Sequence, residues 1–374
     1  MAKPPQRLHP WGHRGCDPQS LLEFVSATLR DDHARVQAWL ERPISIAEYI
    51  EVLIRRHRLG AFLFSRMHGR ECWELLPLES RQRLTQSKTA QDLIARQSLD
   101  TLETVREQLA SRGIPFVVLK GVEIATRFYG ATAARGYRDI DLLISERDRD
   151  ATLDCLQTAG WHRLSRIFLS TQFASKYQHA FDYRKGDALL DLHWALTRLP
   201  GLAIWTEEVM SRAQSQRLAD SNYQVLDQVD ELVLLLISAF ADIQRGALRL
   251  QSFVDIALVS QKLSPPDWDR YHAQVNKSHA AGICQEVMRM MDTLLGLSLT
   301  PANNSPAPRG RSFQHDLLLL LPSLGAWRSK QWAMQHLPVS SFRYAAWWMV
   351  SLPARTLASH PRLRRPVPKS RSDS

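Results

Sequence analysis

Two short motifs carry the residue types best suited to chemistry. One is an apolar run, 116–119, that ends in Lys120-Gly121, and the other is Asp139-Ile-Asp141 at the head of a second apolar run. Residues i and i+2 of a strand point to the same side, so Asp139 and Asp141 are expected to converge. Mg²⁺ takes carboxylate oxygens together with substrate phosphates. The pair therefore predicts a magnesium site that receives a nucleoside triphosphate.

The segment after Lys120-Gly121, Val122–Tyr129, reads as a short helix. Glycine allows a tight strand-to-helix turn, and the free N–H groups at a helix start favour an anion such as a triphosphate. Lys120 and Arg135 each have two interpretations, a phosphate contact or a structural ion pair. A phosphate contact is also open to Arg138, although the preferred interpretation is a solvated neighbour of the aspartate pair.

A third carboxylate is expected from a β-hairpin near residues 179–194, whose Lys-Gly-Asp tip has turn chemistry. Two-metal phosphoryl transfer uses such a group to hold the second metal. Asp191 lies between two leucines, where an aspartate is costly unless it meets a cation or hydrogen bonds. We therefore predict Asp191 as the third ligand, with Asp182 as the fallback. His193 shares its face and is interpreted as a packed or hydrogen-bonded residue rather than a catalyst.

The motifs together resemble a known family. The stretches Leu119-Lys-Gly121, Tyr129-Gly130 and Arg135-Gly-Tyr-Arg-Asp-Ile-Asp141 look like the uncharacterised nucleotidyltransferase family of bacterial gene clusters, within the DNA polymerase β-like nucleotidyltransferase superfamily. Leu190–Trp194 also fits its pattern, which supports Asp191.

This resemblance implies catalytic and metal-binding roles for Asp139, Asp141 and Asp191, with Mg²⁺ or alternatively Mn²⁺ as cofactor. It implies nucleotide-binding roles for Lys120, Gly121 and Arg135. Two features depart from the pattern: the superfamily's serine after the glycine is replaced by Val122, and Leu234–Arg249 has no histidine.

The expected fold is α+β, a polymerase β-like nucleotidyltransferase core with a small mixed sheet, flanked by N- and C-terminal helical regions. Apolar spacings of three and four predict helices over 19–112 and again over 221–300, on either side of a core at 113–220. Strands are predicted near 115–119, 139–144, 162–168, 179–184 and 188–194. Residues 1–18 are expected to be disordered, and 301–374 to form a linker and a basic C-terminal extension.

Composition narrows the class of protein. The chain has 374 residues, 44% hydrophobic and 23% charged, as is typical of globular proteins. Four scattered cysteines, no signal peptide and no long apolar run predict a reduced, cytoplasmic chain.

The net charge of +10 is concentrated at one end of the chain. Residues 309–374 hold eleven Lys/Arg against two acids, so the rest is nearly neutral. This distribution disfavours a general nucleic-acid-binding surface. The tail is interpreted either as a solubilising end or as a contact for membrane, nucleic acid or an acidic partner.

Three functions remain open on these grounds. The first is an Mg²⁺-dependent nucleotidyltransferase that moves a nucleoside monophosphate from a nucleoside triphosphate to a hydroxyl, phosphate or amine of a small molecule, peptide or protein, releasing pyrophosphate. The second is a metal-dependent glycosyltransferase using a nucleotide-sugar, which the helical first hundred residues disfavour. The third is a non-catalytic nucleotide-binding module, which the missing serine favours and the three acids disfavour.

Overall fold

A computed structural model describes residues 16–164 and 179–299, apart from residues 198 and 200. Within them lie thirteen α-helices and seven strands, an α+β fold as predicted. None of the helices in this part of the chain has the length and apolarity needed to cross a bilayer. The predicted basic extension lies outside the described residues. Of the predicted disordered N-terminus, Cys16 is described and buried, and Asp17 caps the first helix through its side chain.

Six helices precede the sheet. They are α1 Pro18–Leu29, α2 His33–Leu40, α3 Ile46–Arg55, α4 Gly60–Met67, α5 Glu71–Glu74 and α6 Leu78–Ala110. Four helices follow it: α10 Gln228–Arg245, α11 Leu250–Ser260, α12 Pro265–Lys277 and α13 Ala281–Leu295. The start of α10 is capped by Asp227, and its end is set by Gly246 in the left-handed conformation.

The sheet contains β1 Phe116–Leu119, β2 Ile140–Ile144, β3 His162–Arg163, β4 Ala180–Lys185, β5 Ala188–His193, β6 Gln214–Leu218 and β7 Ser221–Val225. Its order is β3-β4-β5-β2-β1-β7-β6. The central strand β2 pairs antiparallel with β1 and parallel with β5, so the sheet is mixed. Three helices accompany it: α7 Gly121–Phe128, α8 Arg149–Thr158 and α9 Thr206–Ser211.

The β6–β7 hairpin was not predicted from the sequence. Its strands, Gln-Ser-Gln-Arg-Leu and Ser-Asn-Tyr-Gln-Val, are short and largely polar, and β6 forms the edge of the sheet. Edge strands of this kind carry little hydrophobic periodicity. The strand predicted at 162–168 appears as the two residues of β3, and 165–168 lies outside the described residues.

Apolar side chains cover both faces of the sheet. One face packs Val118 and Leu142 with Leu102 and Leu109 of the long helix α6. The other places Leu119 and its neighbours in the sheet against Leu234 of α10. Strand alternation therefore separates two layers, and α10 lies over the second one.

The two helical regions share one hydrophobic core rather than forming separate ones. Phe24 and Trp39 from the N-terminal region belong to the same buried cluster as Phe240 and Phe253 from the C-terminal region. Helix α6 joins the two cores, with Leu84 in the helical core and Leu102 in the sheet core. The sheet is thus inserted between two chain segments that fold together into one helical body.

An ion pair fastens the loop between α7 and β2 to this helical body. The guanidinium of Arg135 donates to both carboxylate oxygens of Asp255 in α11, at 2.8 and 2.7 Å. The hydroxyl of Tyr129 donates to the same carboxylate at 2.6 Å. The Arg135 and Asp255 side chains are only 11% and 3% exposed, so neither charge has water as an alternative partner.

Replacing Asp255 should therefore destabilise the protein strongly. Asp255→Ala leaves the Arg135 charge buried without its partner, and such a loss lowers the free energy of unfolding by about 3–5 kcal/mol. The matched control is Asp242→Ala, which removes the exposed pair of Asp242 with Arg245 and should change it by less than about 1 kcal/mol. Urea unfolding of both variants measures the difference. Equal losses would contradict the structural role given to Asp255.

Candidate active site

A row of three aspartates crosses adjacent strands of the sheet. Asp141 of β2 lies opposite Asp191 of β5, and Asp191 lies opposite Asp182 of β4. Residues in register on neighbouring strands share a face. The row is on the α10 side of the sheet, because Asp141 also faces Leu119 of β1. The structure thus brings together Asp141 and Asp191, and places the fallback residue Asp182 one strand further out.

His193 joins two of these carboxylates. Its Nε2 lies 3.2 Å from Asp141 Oδ1 and 3.2 Å from Asp191 Oδ2. One ligand atom from each of the three residues lies within 4.8 Å of the others, which is the spacing of a possible metal site. Asp191 Oδ1 and His193 Nδ1 are buried without a hydrogen-bond partner among the described residues. His193, interpreted from the sequence as a packed or hydrogen-bonded residue, lies inside the acidic group and hydrogen-bonds to Asp141.

The charges in this group perturb each other strongly. Burial alone lowers the pKa of His193, but the charges and hydrogen bonds of Asp191 and Asp141 raise it to about 9. Burial raises the pKa of Asp191, and His193, Lys120 and His179 outweigh it and hold that pKa at about 2. Partial loss of hydration and the proximity of Asp191 raise the pKa of Asp182 to about 6. Without a cation, a protonated His193 therefore balances part of the negative charge.

Asp139 lies beside this group rather than within it. It directly precedes the first residue of β2, and it is not among the residues whose ligand atoms lie within 4.8 Å of one another. Burial, followed by the charges of Asp141 and Asp191, raises its pKa, while Arg58 lowers it. The two aspartates of the motif are therefore electrostatically coupled, although only Asp141 belongs to the closely spaced group.

The turn from β1 into α7 has an unusual backbone. Lys120 and Gly121 both have a φ of 43°, a region that residues with a side chain rarely adopt. A Cβ at Gly121 would lie 3.3 Å from the backbone oxygen of Asp139. The glycine therefore lets the start of α7 approach the Asp139 backbone. Strain of this kind, about 1–3 kcal/mol per residue, is most often found at functional sites.

Other residues singled out in the sequence have different surroundings. Arg135 forms the ion pair with Asp255, which is the second of its two interpretations. Arg138 is exposed next to Asp139. Val122, which replaces the superfamily's serine, is 2% exposed and packs in the sheet core. Val122 therefore packs in the core and has no hydroxyl that could bind a phosphate.

Behind the turn lie two carboxyls that the sequence analysis did not single out. Glu123 of α7 and Glu231 of α10 are both fully buried, and Glu123 pairs with Arg127. Burial, followed by the charge of Glu123, raises the pKa of Glu231 well above its ordinary value. Both positions are typical of exposed helix starts in sequence, so only the packing of α10 onto the sheet shows that they are buried.

The metal-free protein should become less stable as the pH rises. The pKa of His193 is about 9 in the folded state against 6.5 ordinarily, so its stabilising proton is fully present below 6.5 and lost towards 9. Between these values the free energy of unfolding should fall by about 3 kcal/mol. Urea unfolding of chelator-treated protein measures it, with His193→Gln as control. A wild-type curve parallel to that of the variant would contradict this prediction.

Comparisons with known proteins bear on this site. The sequence profile of a family described as "Uncharacterised nucleotidyltransferase" matches residues 47–296. No protein with a curated description is significantly similar in sequence. Among solved structures, the antibiotic-resistance factor ANT(2'')-Ia in solution is 15% identical, with a TM-score of 0.35, over 48% of this chain and 91% of that one. ANT(2'')-Ia in complex with adenylyl-2''-tobramycin is 14% identical, with a TM-score of 0.36, over 48% and 98%.

These two structures are too dissimilar to identify site residues. The family profile, by contrast, spans about two thirds of the chain, including every residue of the carboxylate row and the Lys120-Gly121 turn. The chain therefore belongs to the uncharacterised nucleotidyltransferase family and is a nucleotidyltransferase, as its motifs predicted.

Proposed function

We propose that this protein transfers a nucleoside monophosphate from an Mg²⁺-bound nucleoside triphosphate to a hydroxyl, phosphate or amine, with release of pyrophosphate. The observation that carries the proposal is the alignment of Asp141 with Asp191 on paired strands, at the same end of the sheet as the Lys120-Gly121 turn. Carboxylates for a cation and a helix start for phosphates are thereby close together.

The residues present fit a hard divalent cation. Asp141 and Asp191 supply carboxylate oxygens, and Asp191 Oδ1 is a buried acceptor without a partner among the described residues. Asp139 is the third proposed ligand, from the segment just before β2. Mg²⁺ suits this oxygen-rich set best, and Mn²⁺ would also accept the His193 nitrogen. When bound, the metal would supply stabilisation of the negative charge that develops on the transferred phosphoryl group.

The chain's own residues would bind and orient the triphosphate. The free N–H groups at the start of α7 would bind the phosphates, and Lys120 would add a positive charge, which already acts on Asp191. The acceptor atom forms a bond to the α-phosphorus while the bond from that phosphorus to the bridging oxygen breaks. The electron pair leaves with pyrophosphate, and a hydroxyl or amine acceptor loses its proton to solvent.

Arg135 is left with a positioning role in this proposal, because Asp255 occupies its guanidinium. The acceptor is proposed only by its reactive group, on a small molecule, a peptide or a protein. The four cysteines are unpaired and buried, which supports a reducing, cytoplasmic compartment. The basic extension is proposed as a further contact for a membrane or an acidic partner.

Removing either carboxylate should abolish the reaction. Asp141→Asn and Asp191→Asn keep the side-chain size and delete the charge that would hold the metal, so pyrophosphate release should fall by about 10³-fold or more. The assay uses Mg²⁺, each of the four nucleoside triphosphates, and an extract as the source of acceptors. Asp220→Asn, at a fully exposed turn residue, is the matched control and should retain wild-type rates.

The products separate this proposal from its alternatives. Pyrophosphate and a nucleotidylated acceptor are expected, whereas a glycosyltransferase would release a nucleoside diphosphate from a nucleotide-sugar. Full turnover in both Asn variants would contradict the site assignment. Chelation of the metal should stop the reaction, and added Mg²⁺ should restore it.

Substitutions of Lys120 offer a second test, because they separate the effect of its charge from the effect of its strained backbone. Lys120→Ala and Lys120→Gly both remove the ammonium group, so each should raise the KM for the nucleoside triphosphate. Only glycine relieves the positive φ, so Lys120→Gly should be more stable than Lys120→Ala by about 1 kcal/mol or more. Nucleotide titration and thermal unfolding measure the two effects. An unchanged KM in both variants would remove Lys120 from the phosphate contacts.

A further inference from the structure

Three segments distant in the sequence meet beside Asp139. They are the α3–α4 junction with Arg58, the loop before β2 with Gly136, and the α10–α11 junction with Arg249. The backbone carbonyl of Arg58 packs so closely on Gly136 that a Cβ there would lie 2.7 Å from it. The side-chain amide of Gln251 donates to the Gly136 carbonyl at 2.5 Å. These contacts fix the three segments to one another through their backbones.

A second contact ties the two junctions together. The backbone N–H of Leu250 donates to Nδ1 of the buried His57 at 3.2 Å. Arg58, the next residue after His57, has a φ of 57°, in the left-handed region that glycine favours. A non-glycine residue held in this conformation is a sign that the surrounding structure requires it. The junctions therefore have fixed positions relative to the loop that carries Asp139.

These contacts place Arg58, Arg138 and Arg249 on three neighbouring segments, and the charges of Arg138 and Arg249 both act on Arg58. Burial and the charge of Arg249 lower the pKa of Arg58, with smaller contributions from Arg135 and Arg138, while Asp139 raises it. Among the described residues, none of the three forms a salt bridge with a carboxylate. The nearby Arg127 and Arg135, by contrast, are each fully engaged by a buried acid.

We propose that Arg58, Arg138 and Arg249 form an anion site that binds the β- and γ-phosphates of the nucleotide held at Asp139 and Asp141. The proposal rests on the proposed function, since it places the triphosphate next to the carboxylate row. Clustered like charges repel one another, and a bound polyphosphate reverses that repulsion. Guanidinium groups also pair with phosphate through two parallel hydrogen bonds. Arg58 and Arg249 come from the helical body, so the nucleotide would be bound by both parts of the molecule.

The same chemistry would suit an anionic group on the acceptor, so the experiment must separate the two sources. The probe is inorganic tripolyphosphate with Mg²⁺, titrated calorimetrically into full-length wild type, Arg58→Gln and Arg249→Gln. Each loss of a charged hydrogen-bonding group should weaken binding by about tenfold or more. The matched control is Arg217→Gln, an exposed arginine on the edge strand β6, which should bind as wild type does.

Thermal unfolding of each variant shows whether it folds. If Arg249→Gln does not fold, Arg249→Lys replaces it, because lysine retains the positive charge but cannot form two parallel hydrogen bonds to phosphate. Intermediate binding by Arg249→Lys supports the proposal. Wild-type tripolyphosphate affinity in Arg58→Gln and Arg249→Gln would overturn it. A raised KM for the acceptor alone would reassign the arginines to the acceptor.

The two proposals fail in distinguishable ways. If wild type releases pyrophosphate and the arginine variants bind tripolyphosphate normally, only the arginine site is wrong. If wild type binds neither tripolyphosphate nor any nucleoside triphosphate, the proposed function falls as well.

Discussion

The structure depends on holding like charges in register. Backbone hydrogen bonds between β2, β5 and β4 place Asp141, Asp191 and Asp182 side by side, so their separation is fixed by the strand spacing and cannot relax. Such a row repels itself unless positive charge is supplied nearby. His193 lies two residues along from Asp191, on the same strand face, and takes that position in the metal-free protein. A proton on His193 and a divalent cation on the carboxylates are therefore competing ways to neutralise one group.

The elements around the row shield its inner end from bulk water, whereas Asp182 at its outer end is exposed. Helix α6 covers one face of the sheet and α10 approaches the other, so the central strands β1 and β2 are largely buried on both sides. The buried Glu123 and Glu231 lie behind the turn at Lys120, and burial raises the pKa of both carboxyls. The positive charge of Lys120 acts in the opposite direction, lowering the pKa of both Asp191 and Glu231. Lys120 thus lies between two sets of acids, and its strained backbone keeps it there. A triphosphate arriving at α7 would meet a lysine whose position is already fixed.

Much of this site could be predicted from the sequence, because its motifs are local. The Lys120-Gly121 turn, the Asp139–Asp141 spacing and the Asp191 hairpin each lie within a few residues of one apolar run, and strand periodicity places them. The burial of Asp255 and Glu231 could not be inferred, because the charged residues that act on them, Arg135 and Glu123, are more than a hundred residues away in sequence. The β6–β7 hairpin could not be predicted for a different reason, because polar edge strands have weak hydrophobic patterns. Asp139 itself lies one residue before the start of β2, so its convergence with Asp141 stays a prediction.

The N-terminal and C-terminal helical regions predicted from the sequence form one body with a shared core. The sequence divides the helices into a segment before the sheet and a segment after it, yet Phe24 and Trp39 pack with Phe240 and Phe253 in one cluster. The sheet is connected to that body through α6, through the Arg135–Asp255 pair and through the junctions that surround Gly136. The ion pair and the junction contacts both end in the loop that carries Asp139. A shift of the helical body would therefore move Asp139 relative to Asp141 and Asp191, which are held by the sheet alone. The geometry of the site is thus set by how two halves of one helical body close around an inserted sheet.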